Sequence, residues 1–149
     1  MAHPLSDGAL ADDLSFLIAR ANALSLAAGN AALADLGLRV RSYSVLSVAA
    51  EGTRPTQREI ADFLRLDPSQ VVAIIDELQS RGLVERAADP RDRRSNVIDC
   101  TDAGQELFRR ARVAVLGAER ALHSDLSSAD RATLARLLKS LAFPPDPAA

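Results

Sequence analysis

The sequence predicts a mainly α-helical fold that is interrupted by one short β-hairpin, and three observations support this. Hydrophobic residues make up 48% of the 149 residues but aromatic residues only 3%, so Ala, Leu, Val and Ile must build the core, a mixture that favours closely packed helices. Apolar residues recur at the spacing of one helix face over most of the chain. Between residues 83 and 100 this period gives way to two short, partly β-branched runs.

Composition and charge exclude several classes of protein. A single cysteine, Cys100, excludes an intramolecular disulfide and a thiolate metal cluster, and His3 and His123 are too few and too far apart for a metal site. The first 13 residues contain acids but no Lys or Arg, unlike a signal peptide, and no stretch of about 18 apolar residues predicts a membrane helix. We therefore expect a cytoplasmic protein with no cofactor, no metal and no membrane contact. The formal net charge of −2 gives no overall basic signature, so contact with nucleic acid would have to depend on local clusters of arginine.

Two helices are predicted before residue 52. Helical spacing predicts one long helix over about residues 10–36, which Gly37 ends as a C-terminal cap. Its single apolar stripe consists of Leu14, Leu17, Ile18, Ala21, Leu24, Ala28 and Ala31. A shorter helix follows over about residues 42–50, with Val45, Leu46 and Ala49 inward and Gly52 as its stop.

Two capped helices come next in close succession. Thr56 and Glu59 have the spacing of a capping box, and Asp67 is placed as the N-cap of the following helix, with a proline at its first position and Gln70 three residues after the cap. The predicted inward residues are Ile60, Ala61, Phe63 and Leu64 in the first helix and Val71, Ile74, Ile75 and Leu78 in the second, which Gly82 closes. Because two independent caps fix both starts, a turn of about three residues joins the pair as in a helix-turn-helix. A purely structural pair of helices is the alternative.

The segment after this pair predicts a β-hairpin with a charged tip. Residues 83–87 and 96–100 are the two strands, and residues 88–95 form the tip that joins them. Three arginines, Arg91, Arg93 and Arg94, lie in the tip. A solvated charged loop would explain the tip alone, but its place directly after a helix-turn-helix is typical of the wing of a winged helix.

The last third of the chain predicts two more helices. Thr101 caps a helix that extends to about residue 123, and Ser127 caps another that the prolines after Phe143 end. Their inward residues are predicted to be Leu107, Ala111, Val115, Ala118 and Leu122 in the first, and Leu134, Leu137, Leu138 and Leu141 in the second.

The terminal helices predict a homodimer. The winged unit needs only residues 38–100, so the helices within residues 1–37 and 101–149 must bury their stripes elsewhere. A first helix of about 40 Å is too long to lie wholly against one small domain, so we expect it to pack with the C-terminal helices of a second copy. A two-fold dimer would place its two helix-turn-helix units about 34 Å apart, one turn of DNA. A monomer with an enlarged helical core is the alternative.

The chain resembles the multiple antibiotic resistance regulator (MarR) family in three stretches. They are residues 67–86 (DPSQVVAIIDELQSRGLVER), residues 89–95 (DPRDRRS) and the TDAG that follows NVIDC at residue 101. The order of elements also matches from about residue 10 to residue 142. The resemblance implies a triangular dimer that binds a pseudo-palindromic operator in double-stranded DNA. Most members repress promoters and release DNA when a small, often aromatic or phenolic, ligand binds. The family commonly has basic residues in the exposed middle of its recognition helix, where this chain has Ala73 and Glu77.

Three groups of residues are predicted to contact DNA. On the recognition helix, Gln70 would pair with adenine, Ser69 would bond a base or phosphate, and Ala73 would touch a thymine methyl. The alternative is that Gln70 serves only as the capping-box partner. Asp76 and Glu77 on the same helix are expected to form ion pairs within the protein. The second group, at the start of the preceding helix, where a phosphate would bind, is Arg54, Thr56, Gln57 and Arg58.

The wing is the third group predicted to contact DNA. It comprises Arg91, Arg93, Arg94 and Ser95. The resemblance implies that one arginine, Arg93, enters the minor groove, with Asp89 or Asp92 holding a neighbouring arginine. Arg86, on the strand, is expected to be structural or to contact a phosphate.

The resemblance also implies an effector pocket between the terminal helices and the winged unit. Arg20, Arg41 and Tyr43 would supply charges and a hydroxyl for an aromatic carboxylate, whereas a core tyrosine and surface arginines are the alternative. Cys100 is expected to be a small buried hydrophobe and not a redox sensor.

Other functions stay open on the sequence alone. A winged helix can serve protein contact, and a DNA-binding regulator can lack a ligand or act as an activator. An enzyme is not expected, because the sequence has no Gly-rich phosphate loop, catalytic triad pattern or metal-ligand spacing.

Overall fold

A computed structural model describes residues 5–145 and gives that range six α-helices and one two-stranded antiparallel sheet. The bounds are α1 (Leu14–Leu33), α2 (Val40–Ala50), α3 (Gln57–Leu64), α4 (Pro68–Ser80), β1 (Val84–Ala88), β2 (Asn96–Cys100), α5 (Asp102–Leu122) and α6 (Ser128–Ala142). The predicted mainly α, winged helix-turn-helix fold is confirmed, with α3 and α4 as the helix-turn-helix and β1–β2 as the wing. His3 lies outside the described residues.

The helix-turn-helix forms because both of its helices are capped as predicted. The Thr56 hydroxyl accepts from the Glu59 backbone N–H at 3.2 Å, and the Thr56 N–H donates to the Glu59 carboxylate at 2.7 Å. At α4, Asp67 accepts from the Ser69 N–H at 2.8 Å. The largest fully buried side chains of the hydrophobic core are Leu33, Leu46, Ile60, Ile75, Leu78 and Ile98. Each such burial stabilises the fold by about 1.5–3 kcal/mol.

A backbone hydrogen bond attaches the wing to the segment before α3. The register of the wing runs from Val84 opposite Cys100 to Ala88 opposite Asn96. The Ile98 N–H donates to the Pro55 carbonyl at 2.8 Å, which binds β2 to the residues just before α3.

The first helix begins later than predicted. Asp13 caps it by accepting from the N–H groups of Ser15 and Phe16, and a short 3-10 turn (Ala9–Asp12) precedes it. A second 3-10 turn (Ala34–Leu36) leads to the predicted cap Gly37, which has a φ of 64°. With 20 residues, α1 is about 30 Å long at 1.5 Å per residue, shorter than the predicted length of about 40 Å.

Several large apolar side chains of the predicted helices are exposed in the single chain. No described residue of α6 is buried, so the inward assignment of Leu134, Leu137, Leu138 and Leu141 is wrong for the protomer. The exposed fraction of Leu14 on α1 is 67%. Phe63 is 58% exposed instead of buried, and its ring stacks on Phe143 with centroids 6.0 Å apart. The chain itself supplies too little surface to cover these faces.

The first helix also has the length and composition of a membrane span. The segment Leu14–Leu36 contains an 18-residue window with a mean hydropathy of 1.2, of which 11% is buried. The expectation that the sequence has no such stretch is therefore wrong by this measure. A helix whose apolar stripe packs on another protein surface has the same composition.

Glycine replacements on α5 test the packing of its first turn against the wing. A Cβ at Gly104 would overlap the Leu83 carbonyl oxygen and lie 2.7 Å from Cys100 Sγ, whereas a Cβ at Gly117 has nothing within 4 Å. We expect Gly104→Ala to lower the free energy of unfolding by about 1–3 kcal/mol through overpacking. The control Gly117→Ala should raise it by about 0.4–1 kcal/mol by restricting the unfolded chain. Urea denaturation at equal protein concentration measures both changes, and a neutral Gly104→Ala would contradict the close contact.

Candidate nucleic-acid interface and adjoining cavities

The exposed face of α4 carries the residues predicted to read bases. Val71 and Ile75 are fully buried, and the helical period turns Ser69, Ala73 and Asp76 to the opposite, exposed side. The Ser69 hydroxyl donates to the capping carboxylate of Asp67, and this hydrogen bond lowers the pKa of Asp67. The oxygen of Ser69 is thereby left as an acceptor at the N-terminus of α4.

Gln70 does not complete a capping box. Its Oε1 instead accepts from Arg41 Nη1 at 3.3 Å, so its amide NH2 group remains to donate elsewhere. The alternative that Gln70 is only a cap partner is therefore wrong.

The wing tip is held by one buried carboxylate. Asp89 is 3% exposed and accepts from the backbone N–H of Arg91 at 2.8 Å and twice from its guanidinium at 3.1 Å. These bonds hold the pKa of Asp89 below its ordinary value. Arg91 Nη2 also lies 3.7 Å from the Glu59 carboxylate. As predicted, Asp89 holds a neighbouring arginine, and it also joins the wing to the capping box of α3.

The other arginines of the candidate interface differ in whether their side chains form ion pairs within the protein. Arg54, with a φ of 53°, donates to both oxygens of Asp99 at 2.9 and 3.1 Å. The Arg58 side chain is 91% exposed and lies 3.9 Å from Asp62. Within residues 5–145 the side chains of Arg93 and Arg94 are exposed and form no hydrogen bond or ion pair. The wing tip therefore presents two uncommitted positive charges.

Two further wing and strand residues have structural contacts. The Ser95 hydroxyl donates to Asp89 at 3.4 Å and to the Asp92 carbonyl at 3.2 Å. Arg86 donates to Gln57 Oε1 at 2.8 and 2.9 Å and to Asp76 Oδ1 at 2.6 Å. Of the two roles predicted for Arg86, the structure shows the structural one. The predicted internal ion pair of Asp76 is confirmed, and Glu77 lies 3.9 Å from Arg81.

Cys100 packs against the hydrophobic core but is half-buried, not fully buried as predicted. Its Sγ lies 3.7 Å from the Leu83 carbonyl oxygen, and burial, with a smaller effect of Asp99, raises the pKa of its thiol. The thiolate that redox chemistry requires is therefore disfavoured.

A cavity of about 740 Å³ separates α4 from the junction of α1 and α2. Its lining residues are Asn30, Ala34, Gly37, Leu38, Arg39, Arg41, Ser42, Gln70, Ala73, Ile74 and Glu77. Two arginines, Arg39 and Arg41, therefore line a space that also borders the exposed face of α4. Arg39 was missed by sequence reasoning, although its position two residues after the Gly37 cap and two before Arg41 was the available signal.

The three predicted effector residues are not brought together. Tyr43 borders a separate cavity of about 300 Å³ between α1, α2 and α5, where its ring stacks on Phe108 with centroids 6.0 Å apart. Arg41 borders the larger cavity and Arg20 neither. Arg41 and Tyr43 diverge because residues two apart on a helix point to different sides. In the single chain the three residues therefore do not line one cavity.

Comparison with known sequences finds one family. The model of the MarR family matches residues 36–95. A protein of Thauera aromatica assigned as a transcriptional regulatory protein for the hcr operon is 32% identical over 99 residues, which are 66% of this chain. The match spans 60% of that protein, less than two thirds of its length.

Solved structures are similar over nearly the whole chain. A MarR-family transcriptional regulator from Rhodococcus sp. RHA1 is 41% identical with a TM-score of 0.87, covering 93% of this chain and 98% of that one. CouR from Rhodococcus jostii RHA1, bound to p-coumaroyl-CoA, is 38% identical with a TM-score of 0.83, covering 94% and 99%. A repressor also named CouR, bound to a 23-mer DNA duplex, is 28% identical with a TM-score of 0.84, covering 96% and 100%.

Replacement of Asp89 tests how the wing tip is held. We expect Asp89→Asn to speed amide hydrogen exchange in residues 89–95 by about tenfold or more, because a buried acceptor for four hydrogen bonds loses its charge. Exchange measured by mass spectrometry should change less in the control Asp92→Asn, whose exposed carboxylate accepts one backbone bond. Equal exchange in the two variants would contradict the anchoring role.

The same contact predicts a pH dependence of wing order. Because Arg91 lowers the pKa of Asp89 in the folded protein, the carboxylate stabilises the wing fully above its unfolded pKa of about 3.9. This stabilisation is lost only as the pH falls through the lower, folded value. Exchange in residues 89–95 that rose already between pH 7 and pH 5, after correction for intrinsic rates, would contradict this account.

Proposed function

The chain belongs to the MarR family of transcriptional regulators, which bind DNA, and on that premise we propose that it is a homodimeric repressor that an anionic aromatic ligand releases from a pseudo-palindromic operator. The observation that carries the proposal is the arrangement around α4. An exposed polar face is followed directly by a wing tip with two uncommitted arginines, Arg93 and Arg94, and is bordered on another side by an arginine-lined cavity. The similarity to a repressor solved on duplex DNA supports the same reading.

The dimer is supported by the apolar surface that the protomer leaves open. Exposed fractions reach 67% for Leu14, 70% for Val113 and 61% for Leu141, on three different terminal helices. Covering each such side chain would contribute up to about 1.5–3 kcal/mol, and a second copy offers an equally apolar surface. We therefore assign dimerisation to residues 1–37 and 101–149 and DNA binding to residues 38–100, in a cytoplasmic protein.

DNA binding is proposed to use α4 in the major groove and the wing in the minor groove. Ser69, Gln70 and Ala73 would contact base edges, and Arg93 would enter the minor groove. Phosphates would be bound at the N-terminus of α3, where backbone N–H groups and the exposed Arg58 supply donors. The remaining proposed contacts are Arg54, Thr56, Gln57, Arg91, Arg94 and Ser95, while Arg86 is reassigned to a structural role.

Ligand release is proposed to act through the larger cavity. Arg39 and Arg41 would bind an anion, and about 740 Å³ is within the range of sites for drug-sized ligands. Arg81 at the end of α4 donates to the carbonyls of Leu36 and Gly37 at 3.1 and 2.7 Å. A ligand wedged between α4 and the α1–α2 junction would therefore disturb the setting of the recognition helix. Because CouR was solved with p-coumaroyl-CoA, an aromatic acyl-CoA thioester is the first ligand class to test.

DNA binding is tested by fluorescence anisotropy with duplex DNA from upstream of the gene and a scrambled duplex at two salt concentrations. The account predicts tighter, salt-sensitive binding to the native duplex. Arg93→Ala should weaken binding several-fold and reduce the salt slope by about one. Arg112→Ala on α5, which removes the same charge far along the chain from the wing, should leave both unchanged. Unchanged affinity for Arg93→Ala would remove the wing from the mechanism, and no binding to either duplex would favour a protein-contact role.

Ligand release is tested by adding p-coumaroyl-CoA, p-coumarate or free CoA to the protein–DNA complex. We expect the thioester to displace the protein, and Arg41→Ala to raise the concentration required by about tenfold, because a hydrogen bond from a charged donor is lost. Arg20→Ala, at a residue that borders neither cavity, should respond like the wild type. Displacement by free CoA alone would assign the effect to the nucleotide part. No displacement by any of the three would contradict this ligand class.

A further inference from the structure

One guanidinium joins the wing to both helices of the helix-turn-helix. From β1, Arg86 donates through Nε and Nη2 to Gln57 Oε1 at 2.9 and 2.8 Å, and through Nη1 to Gln79 Oε1 at 2.5 Å. Its Nη2 also donates to Asp76 Oδ1 at 2.6 Å. Gln57 is the first residue of α3, and the other two partners lie on α4.

The contacts with Arg86 determine which polar atoms of Gln57, Gln79 and Asp76 remain free to bind another molecule. A guanidinium only donates, so Gln57 and Gln79 must both turn their carbonyl oxygens to Arg86. Their NH2 groups are thereby left to donate elsewhere. Asp76 uses only Oδ1, and within residues 5–145 its Oδ2 has no hydrogen-bond partner. The Asp76 side chain is 60% exposed although the Arg86 side chain is only 23% exposed.

The free oxygen of Asp76 lies on the face of α4 proposed to read DNA. Asp76 follows Ala73 by three residues and Ser69 by seven, so the three share one side of the helix, opposite the buried Val71 and Ile75. A carboxylate on this face would ordinarily be repelled by phosphates. The ion pair with Arg86 offsets that charge and leaves an oriented acceptor.

We propose that Asp76, positioned by Arg86, reads a cytosine in each operator half-site by accepting a hydrogen bond from its N4 amino group. Among the base edges of the major groove, the cytosine amino group is the one that a carboxylate pairs with. Arg86 is a positioning residue that contacts no DNA. This inference depends on the proposed DNA-binding function and adds a base preference to it.

The experiment selects duplexes from a random-sequence library with the full-length wild-type protein and then measures anisotropy on single-position variants of the selected site. At one C·G pair in each half-site, replacing the pair should cost the wild type about tenfold in affinity. Asp76→Asn should lose this discrimination or shift it towards adenine, the base that Asn pairs with. The control Glu85→Gln, an exposed carboxylate on β1, also removes one negative charge and should keep the wild-type profile. An unchanged profile for Asp76→Asn would overturn the inference and leave the proposed function standing.

Arg86→Lys tests the positioning step. Lysine keeps the charge but cannot form the guanidinium fork, so discrimination at the same C·G pair should fall while the salt slope and the thermal midpoint stay close to those of the wild type. A base profile that Arg86→Lys leaves unchanged would overturn the positioning role of Arg86. If the wild type selects no sequence at all, both the proposed function and this inference fail.

Discussion

The carboxylate of Glu59 fixes the geometry on which the proposed DNA-facing surface depends. It accepts from the backbone N–H of Thr56 at 2.7 Å and from its hydroxyl at 2.9 Å, which sets the first turn of α3. It also lies 3.7 Å from Arg91, which the buried Asp89 holds in the wing. The bonds from Thr56 keep the pKa of Glu59 below its ordinary value, so the group stays ionised at neutral pH. One ionised side chain thus connects the start of the helix-turn-helix to the wing tip.

The two halves of the molecule satisfy their surfaces in different ways. In the winged unit, Arg54, Arg86 and Arg91 are paired with carboxylates, and no buried side-chain nitrogen or oxygen of the described residues lacks a partner. In the terminal helices, large apolar side chains such as Leu24 and Leu137 remain 52% and 47% exposed. A chain that leaves this much apolar surface open has a strong driving force to associate. A two-fold DNA-binding dimer requires rigid recognition elements and terminal helices whose apolar surfaces can associate.

Local signals in the sequence predicted much of this structure. The caps at Thr56, Asp67, Thr101 and Ser127 lie where their side chains predicted them, because a cap depends on residues within one helical turn. The start of α1 was placed too early because apolar spacing continues through the 3-10 turn, whereas the Asp13 cap sets the boundary.

Contacts between distant segments were harder to predict. Periodicity shows which side of a helix is apolar but not what covers it, so the α6 leucines were assigned to a core that the single chain does not have. The effector residues were grouped by chemistry, whereas the direction of each side chain on α2 separates Arg41 from Tyr43. The Arg86 cluster joins residues 29 and 10 positions apart, and no pattern along the chain brings them together. Arg39 was missed although its position two residues after the Gly37 cap was a local signal.

Two copies of this chain are proposed to bind DNA together as one dimer. Sedimentation equilibrium of the protein, alone and with a duplex selected from a random library, tests this most directly. The account predicts a particle of two chains at micromolar concentration and two chains on each duplex, with half-sites about one helical turn apart. A single chain that does not self-associate and that binds the duplex alone would contradict it.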